Sequence, residues 1–284
     1  MNLSLRRLVL LGPGLTWLAV FLVVPCALVF TYSFFERGVY GGIDYIFGFS
    51  NYARAIDALY LKIFLQSLKI ALTATVLALV IGYPAAYFIA GAPANRQKAL
   101  LLLAILPFWS NYLIRTYAWM VLLNREGLIN RGLAAAGVID TPLPLLYNDF
   151  AIVVGLLYAY LPFMILTLYA SIARLGPELR EASADLGAGW AQTFVRVTVP
   201  LTVPGIAAGC VFVFVLSIGN FITPDLLGGG RRIMVGNLIY DQFLSARDWP
   251  FGASLAFILI GIMMMLLFAQ AWLVNRTAPG AARG

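Results

Sequence analysis

Glu181 and Asp185 stand four residues apart, a spacing that puts both carboxylates on one face of a helix. They belong to the stretch 181–200, EASADLGAGWAQTFVRVTVP, a polar interruption between two apolar runs. Gly176 and Pro177 open this helix, since proline at the first helical position loses no hydrogen bond. Glu178 and Glu181 fall in its first turns, where carboxylates suit the positive end of the helix dipole. Gly187 is placed to stop it. Ala188 and Gly189 allow a tight bend, and 190–197 reads as a second short helix that Pro200 closes.

Other reactive residues are sparse. The chain has no histidine, which removes His-ligated haem, HExxH metalloproteases and any nucleophile that relies on a histidine base. Its two cysteines, Cys26 and Cys210, lie in apolar runs and read as small buried hydrophobes. No G-x-x-x-x-G-K-[ST] occurs, so the chain carries no phosphate-binding loop, and Gly228-Gly229-Gly230 reads as a turn. Lys69 and Arg115 are the basic residues well inside apolar runs, and both read as anchors that snorkel to headgroups. No acid sits near the middle of an apolar run, which argues against a proton- or sodium-coupled carrier. Ser217, Asn220 and Phe221 share a face late in one run, and Asp225 extends that face outward. Such a stripe should meet protein or water; interhelical hydrogen bonding and the lining of a path both fit it. Tyr158 and Tyr160, and Trp109, Asn111 and Tyr112, are weaker candidates of the same kind.

The elements that must position these residues follow from composition. The chain is 62% hydrophobic and 11% charged, with a mean hydropathy of +0.90. A soluble domain carries about 25% charged residues, so this one is a multi-spanning membrane protein of all-α class. Six transmembrane helices are expected over 8–35, 62–90, 99–122, 150–172, 201–223 and 251–274. Pro107 lies inside the third. Gly205 and Gly209 allow close helix approach in the fifth. The net charge of +7 implies lipid headgroups rather than nucleic acid as partner. Six spans put both termini on one side. The short basic segments Arg6-Arg7 and Arg96/Lys98 place that side, and the Glu181 loop, in the cytoplasm. No internal repeat is evident, which points to half a pore completed by a second chain.

The Glu181 loop resembles one found in the membrane subunits of bacterial ABC importers: E-A-A, three residues, G, nine residues, I-x-L-P. Here it reads Glu181-Ala182-Ser183, Gly187, then Val197-Thr198-Val199-Pro200, with Ser183, Val197 and Val199 departing mildly from the pattern. PFWSNYLIRTYAW at 107–119 and GNFITPDLLGG at 219–229 look like the first of the two membrane subunits of spermidine/putrescine-type permeases. The resemblance implies a type I ABC importer (MetI-like) permease fold in the bacterial inner membrane. One permease domain would cover 1–284, with an accessory first helix at 8–35, a core at 62–275 and an ATPase-docking loop at 173–200. It implies a non-catalytic subunit that binds no cofactor of its own. Its partners would be two copies of an ATPase carrying ATP and Mg, a second permease and a periplasmic solute-binding protein. It assigns Glu181, Ala182, Asp185, Gly187, Trp190 and Pro200 to docking. The cargo would be a small solute, with a polyamine first in line. Ser217, Asn220, Phe221, Asp225, Tyr158 and Tyr160 are then the candidates for its path.

Overall fold

The computed structural model describes residues 3–38 and 41–277. The side chains of Arg6 and Arg7, which served to orient the chain, lie outside the described ones.

The chain begins with α1 (Leu3–Leu18), a π-helical turn (Ala19–Val23) and α2 (Val24–Tyr32), which continue one another. A two-strand ladder follows, β1 (Glu36–Arg37) against antiparallel β2 (Ile43–Asp44), then α3 (Ser50–Ala55). α4 (Ala58–Gly91) is a single helix of 34 residues. Arg96 and Lys98 sit in the opening turns of α5 (Ala94–Ile105) rather than ahead of a span starting at 99, because Ala92 and Pro93 make the corner. A 3-10 turn (Leu106–Trp109) leads to α6 (Tyr112–Leu123) and α7 (Leu128–Ala135). After α8 (Asp149–Ile172) come α9 (Pro177–Asp185) and α10 (Trp190–Thr193). A second π-helical turn (Phe194–Thr198) carries α10 without a stop into α11 (Val199–Ile218). α12 (Ile222–Gly228), α13 (Val235–Leu244) and α14 (Trp249–Thr277) complete the described chain.

Among the described residues five helices are long and apolar enough to cross a membrane: Leu11–Tyr32, Ala58–Gly91, Asp149–Ile172, Trp190–Ile218 and Trp249–Trp272. A sixth crossing is reached only by counting as one span the bent pair Ala94–Trp109 and Tyr112–Ala135, which meet at 87°. The third span is therefore not the continuous helix expected over 99–122. Pro107 starts the 3-10 turn, and Ser110 adopts an extended backbone that ends it. The fifth span also differs from 201–223. It starts at Trp190, since the π-helical turn Phe194–Thr198 carries the helix past Pro200, and it stops at Ile218.

The chain divides into two compact units, 1–62 with 238–261 and 63–237 with 262–284. In the second unit α8 is the centre, with Ile152, Leu156, Met164 and Leu168 fully buried. α11 lies against it because Gly205 and Gly209 leave room. A Cβ at Gly209 would come within 2.6 Å of Thr167 Oγ1, and one at Gly205 would run into Ser171. Backbones brought this close gain dispersion contact that apolar solvent cannot replace. Tyr83 of α4 joins them through its hydroxyl, 2.8 Å from Thr202 Oγ1 on α11. In the first unit, Arg54 of α3 donates to Asp248 Oδ2 at 2.8 Å and sits 3.9 Å from the centre of the Phe251 ring. Burial alone would lower the pKa of this guanidinium. Its hydrogen bonds to Asp248 and Tyr60 outweigh that and leave it raised.

Candidate functional site

Two places in the second unit gather the residues singled out from sequence. The first is the polar segment between α8 and α11. α9 ends where glycine was expected: Gly187 has φ +80°, its N–H donates to Ala184 O at 2.8 Å, and the N–H of Ala188 reaches Ser183 O at 3.0 Å. A left-handed residue followed by these back-bonds satisfies the last carbonyls of the helix. Nothing stands within 4 Å of where a Gly187 Cβ would be, so its requirement is conformational rather than steric. Ser183 is buried, and its hydroxyl lies 2.8 Å from Thr193 Oγ1 on α10, which ties the two sides of the bend together. Glu181, Ala182 and Asp185 are exposed, and Leu186 is 89% exposed. Trp190 is exposed too, its ring stacked on Phe194 at 5.6 Å. The segment thus presents carboxylates and bare apolar groups outward on a fixed bend. Pro200 does not belong to that bend, because it lies a turn beyond, within the continuous helix Trp190–Ile218. Behind the bend a cavity of about 410 Å³ is lined by Tyr87, Gln97, Tyr169, Leu179, Val197 and Thr198.

The second place is where the end of α11 meets the broken pair α5/α6. Asn220 follows the end of α11, and its Nδ2 donates to Tyr112 Oη and to Tyr160 Oη, each at 2.6 Å. Its Oδ1 accepts from the N–H of Thr223 at 2.8 Å. The Tyr112 hydroxyl also lies 2.5 Å from Thr223 Oγ1. On the broken pair, Asn111 Oδ1 accepts from the N–H groups of Leu113 and Ile114 at the start of α6. Asn237 Nδ2 donates to Phe221 O at 2.8 Å. Three asparagines thus supply the partners that backbone freed from a helix requires inside a membrane protein. Gly236 admits α13 here, since a Cβ would come within 2.6 Å of Asn220 O. A pocket of about 280 Å³ opens beside Tyr160, Gly219, Asn220, Phe221 and Ile222.

Several placements differ from expectation. Ser217, Asn220, Phe221 and Asp225 do not form a stripe on one helix, because α11 stops at Ile218 and Asp225 lies exposed on α12. Ser217 is fully buried, and its hydroxyl has no hydrogen-bond partner among the described residues. Tyr158 packs edge-on against Trp119 at 5.5 Å, away from the Asn220 hydrogen bonds. Arg115 does not snorkel. It is 9% exposed, between the rings of Phe108 and Tyr112, with Nε and Nη1 unpaired among the described residues. Lys69 is exposed. Cys26 is exposed and Cys210 half-buried, so only the latter resembles the expected buried hydrophobe. The glycine run does turn the chain, with Gly229 and Gly230 at φ +62° and +69°. Among the described residues no cluster of three or more metal-ligating side chains occurs. The helix break at Asn220 was the residue-level feature missed. Its signals were a glycine before the asparagine and a proline four residues after it.

The sequence profile of the family described as "Binding-protein-dependent transport system inner membrane component" matches residues 82–279. The chain is 42% identical over 263 residues to the spermidine/putrescine transport system permease protein PotB of Escherichia coli (strain K12), covering 92% of this chain and 96% of that protein. It is 37% identical over 218 residues to the inner membrane ABC transporter permease protein YdcU of the same organism, covering 72% and 69%. Its fold matches a chain in the crystal structure of a bacterial ABC transporter involved in the import of the acidic polysaccharide alginate. There the TM-score is 0.73 at 19% identity, with 96% of this chain and 97% of that one covered. The helix order, the interrupted spans and these similarities agree: the chain belongs to the binding-protein-dependent transport system inner membrane components, the membrane permeases of ABC importers.

Proposed function

We propose that this permease carries a polyamine such as spermidine or putrescine inward, as one half of a pore whose other half is a second permease. The observation that carries the substrate is the 42% identity to PotB over nearly the whole of both chains. The chain performs no chemistry and binds no cofactor. Two copies of an ATPase subunit hold ATP and Mg and dock on the Glu181 loop, and a periplasmic solute-binding protein delivers the cargo. Both termini and the loop face the cytoplasm, where ATP is available.

The geometry supports a division of labour. Glu181, Ala182, Asp185, Gly187 and Trp190 serve docking. A bend fixed by Gly187 and by the Ser183–Thr193 pair passes closure of the ATPases into α11 without a flexible joint, since Trp190–Ile218 is one helix. At its other end that helix stops at Ile218, and just beyond it the side chain of Asn220 touches α6 and α8. Discontinuous helices of this kind are where transporters build their substrate sites. Phe221, Tyr158 and Tyr160 offer aromatic faces for ammonium groups at about 0.5–2 kcal/mol each, and Asp225 supplies an exposed carboxylate on α12. Weak, repeated contacts suit a path that must release its cargo.

The test is uptake of labelled putrescine and spermidine by proteoliposomes holding the complete importer and its receptor. ATP-dependent uptake of either, competed by the other, is expected. Uptake of neither, with ATP hydrolysis stimulated by another small solute, would overturn the assignment.

A further inference from the structure

The segment after the first span lies outside the region shared with the family profile, which begins at residue 82. It is nevertheless built. Ser33 Oγ lies 2.8 Å from the Tyr52 hydroxyl, and Asn51 Nδ2 donates to Ser33 O at 3.2 Å and to Phe35 O at 2.7 Å. Phe34 packs against four rings, those of Phe30 (5.1 Å), Phe47 (5.3 Å, stacked), Phe49 (5.5 Å) and Tyr52 (5.4 Å). This scaffold holds an uncharged tip outward. Tyr45, Ile46, Phe47 and Phe49 are 75%, 59%, 66% and 64% exposed. Tyr45, Phe47 and Phe49 rest on Phe35 and Phe34 by one side, and their outer sides with Ile46 leave a contiguous apolar patch that requires a partner.

The level of the patch identifies that partner. The membrane-crossing segment ends at Tyr32. The chain then leaves through the ladder and returns, and the N–H of Gly48 donates to Phe34 O at 2.7 Å. That bond fixes 47–49 beside a residue two positions past the end of the span, which is the level of the bilayer surface. Exposed Glu36, Arg37 and Asp44 precede the tip, and Arg54 and Asp57 follow it. Aromatic and aliphatic side chains flanked by charge at this level partition into the boundary between headgroups and acyl chains. We propose that Tyr45, Ile46, Phe47 and Phe49 form an interfacial anchor. It would be inserted into the leaflet at the end of the first span distal to the N-terminus, and would be covered by lipid rather than by another subunit. The assignment is independent of the cargo.

The experiment uses the complete importer in phosphatidylethanolamine/phosphatidylglycerol nanodiscs, with other reactive cysteines replaced. Spin labels are placed one at a time through Ile46→Cys, Phe47→Cys and Phe49→Cys, with Asp57→Cys as the aqueous control. Variants are retained only if the complex elutes intact and hydrolyses ATP. Labels at 46, 47 and 49 are expected to collide with oxygen and not with a water-soluble nickel chelate. Their depth should be about 5–10 Å below the phosphates, unchanged by adding the receptor, while the label at 57 collides with nickel. Access to nickel at the tip would show a water-exposed patch. Exclusion of both reagents, or a change on adding receptor, would show a protein partner. Either result overturns the proposal.

Discussion

Gly187 and Gly209 are both glycines, yet they fail for different reasons when replaced. At Gly187 the backbone is left-handed with open space around it, so a larger side chain meets conformational strain of about 1–2 kcal/mol and no clash. Gly187→Leu should therefore leave the protein in the membrane while lowering transport, and Gly187→Asn, which tolerates this region, should recover much of the loss. Equal uptake by wild type and the leucine variant would sink the docking role. Glu181 differs from its neighbour Glu178 in lying inside the motif. Once docking buries its carboxylate, truncation should cost about 2–5 kcal/mol of coupling, so Glu181→Ala should depress receptor-stimulated ATP hydrolysis far more than Glu178→Ala does. At Asn220 the effect reaches stability. Asn220→Leu removes the bonds to Tyr160 Oη and to the Thr223 N–H, at about 1–3 kcal/mol for each group left unpaired. A lower unfolding temperature of the detergent-solubilised complex, together with slower uptake, is the expected result. The exposed carboxylate of Asp225 can be probed more gently. Asp225→Asn should slow polyamine uptake and leave assembly and basal ATP hydrolysis as they were.

Elements decide how these residues act together. α9 and α10 are too short to hold a shape alone, since isolated helices below about 12–15 residues are marginal. The Ser183–Thr193 contact across their bend compensates, and it stands where the ABC-importer pattern has alanine. A double-mutant cycle over Ser183→Ala and Thr193→Val, read as ATP hydrolysed per solute imported, should give a coupling energy of about 1 kcal/mol. Strict additivity would show that the pair does not stiffen the loop. The interrupted spans follow a related rule. Ser110-Asn111 and Gly219-Asn220-Phe221 leave the helix, and asparagine side chains take over the hydrogen bonding that the helix gives up.

At the scale of the molecule, length, apolar runs and the stretch 181–200 were enough to place the chain among membrane permeases and to locate four of the crossings within a few residues. Those features are local, because a helix in lipid satisfies its own backbone and its apolar length announces it. The Gly187 stop was likewise legible, since a left-handed residue after a helix is a local demand. What the sequence could not determine were the events settled by neighbours. Asn220 ends α11 because Tyr112 and Tyr160, 108 and 60 residues away in the chain, stand ready to accept from it. Arg115 is buried between two rings rather than reaching for headgroups, and spacing along the chain contains nothing of that. Hydrophobic periodicity reports where a helix is affordable; only tertiary contacts decide where leaving the helix is affordable as well.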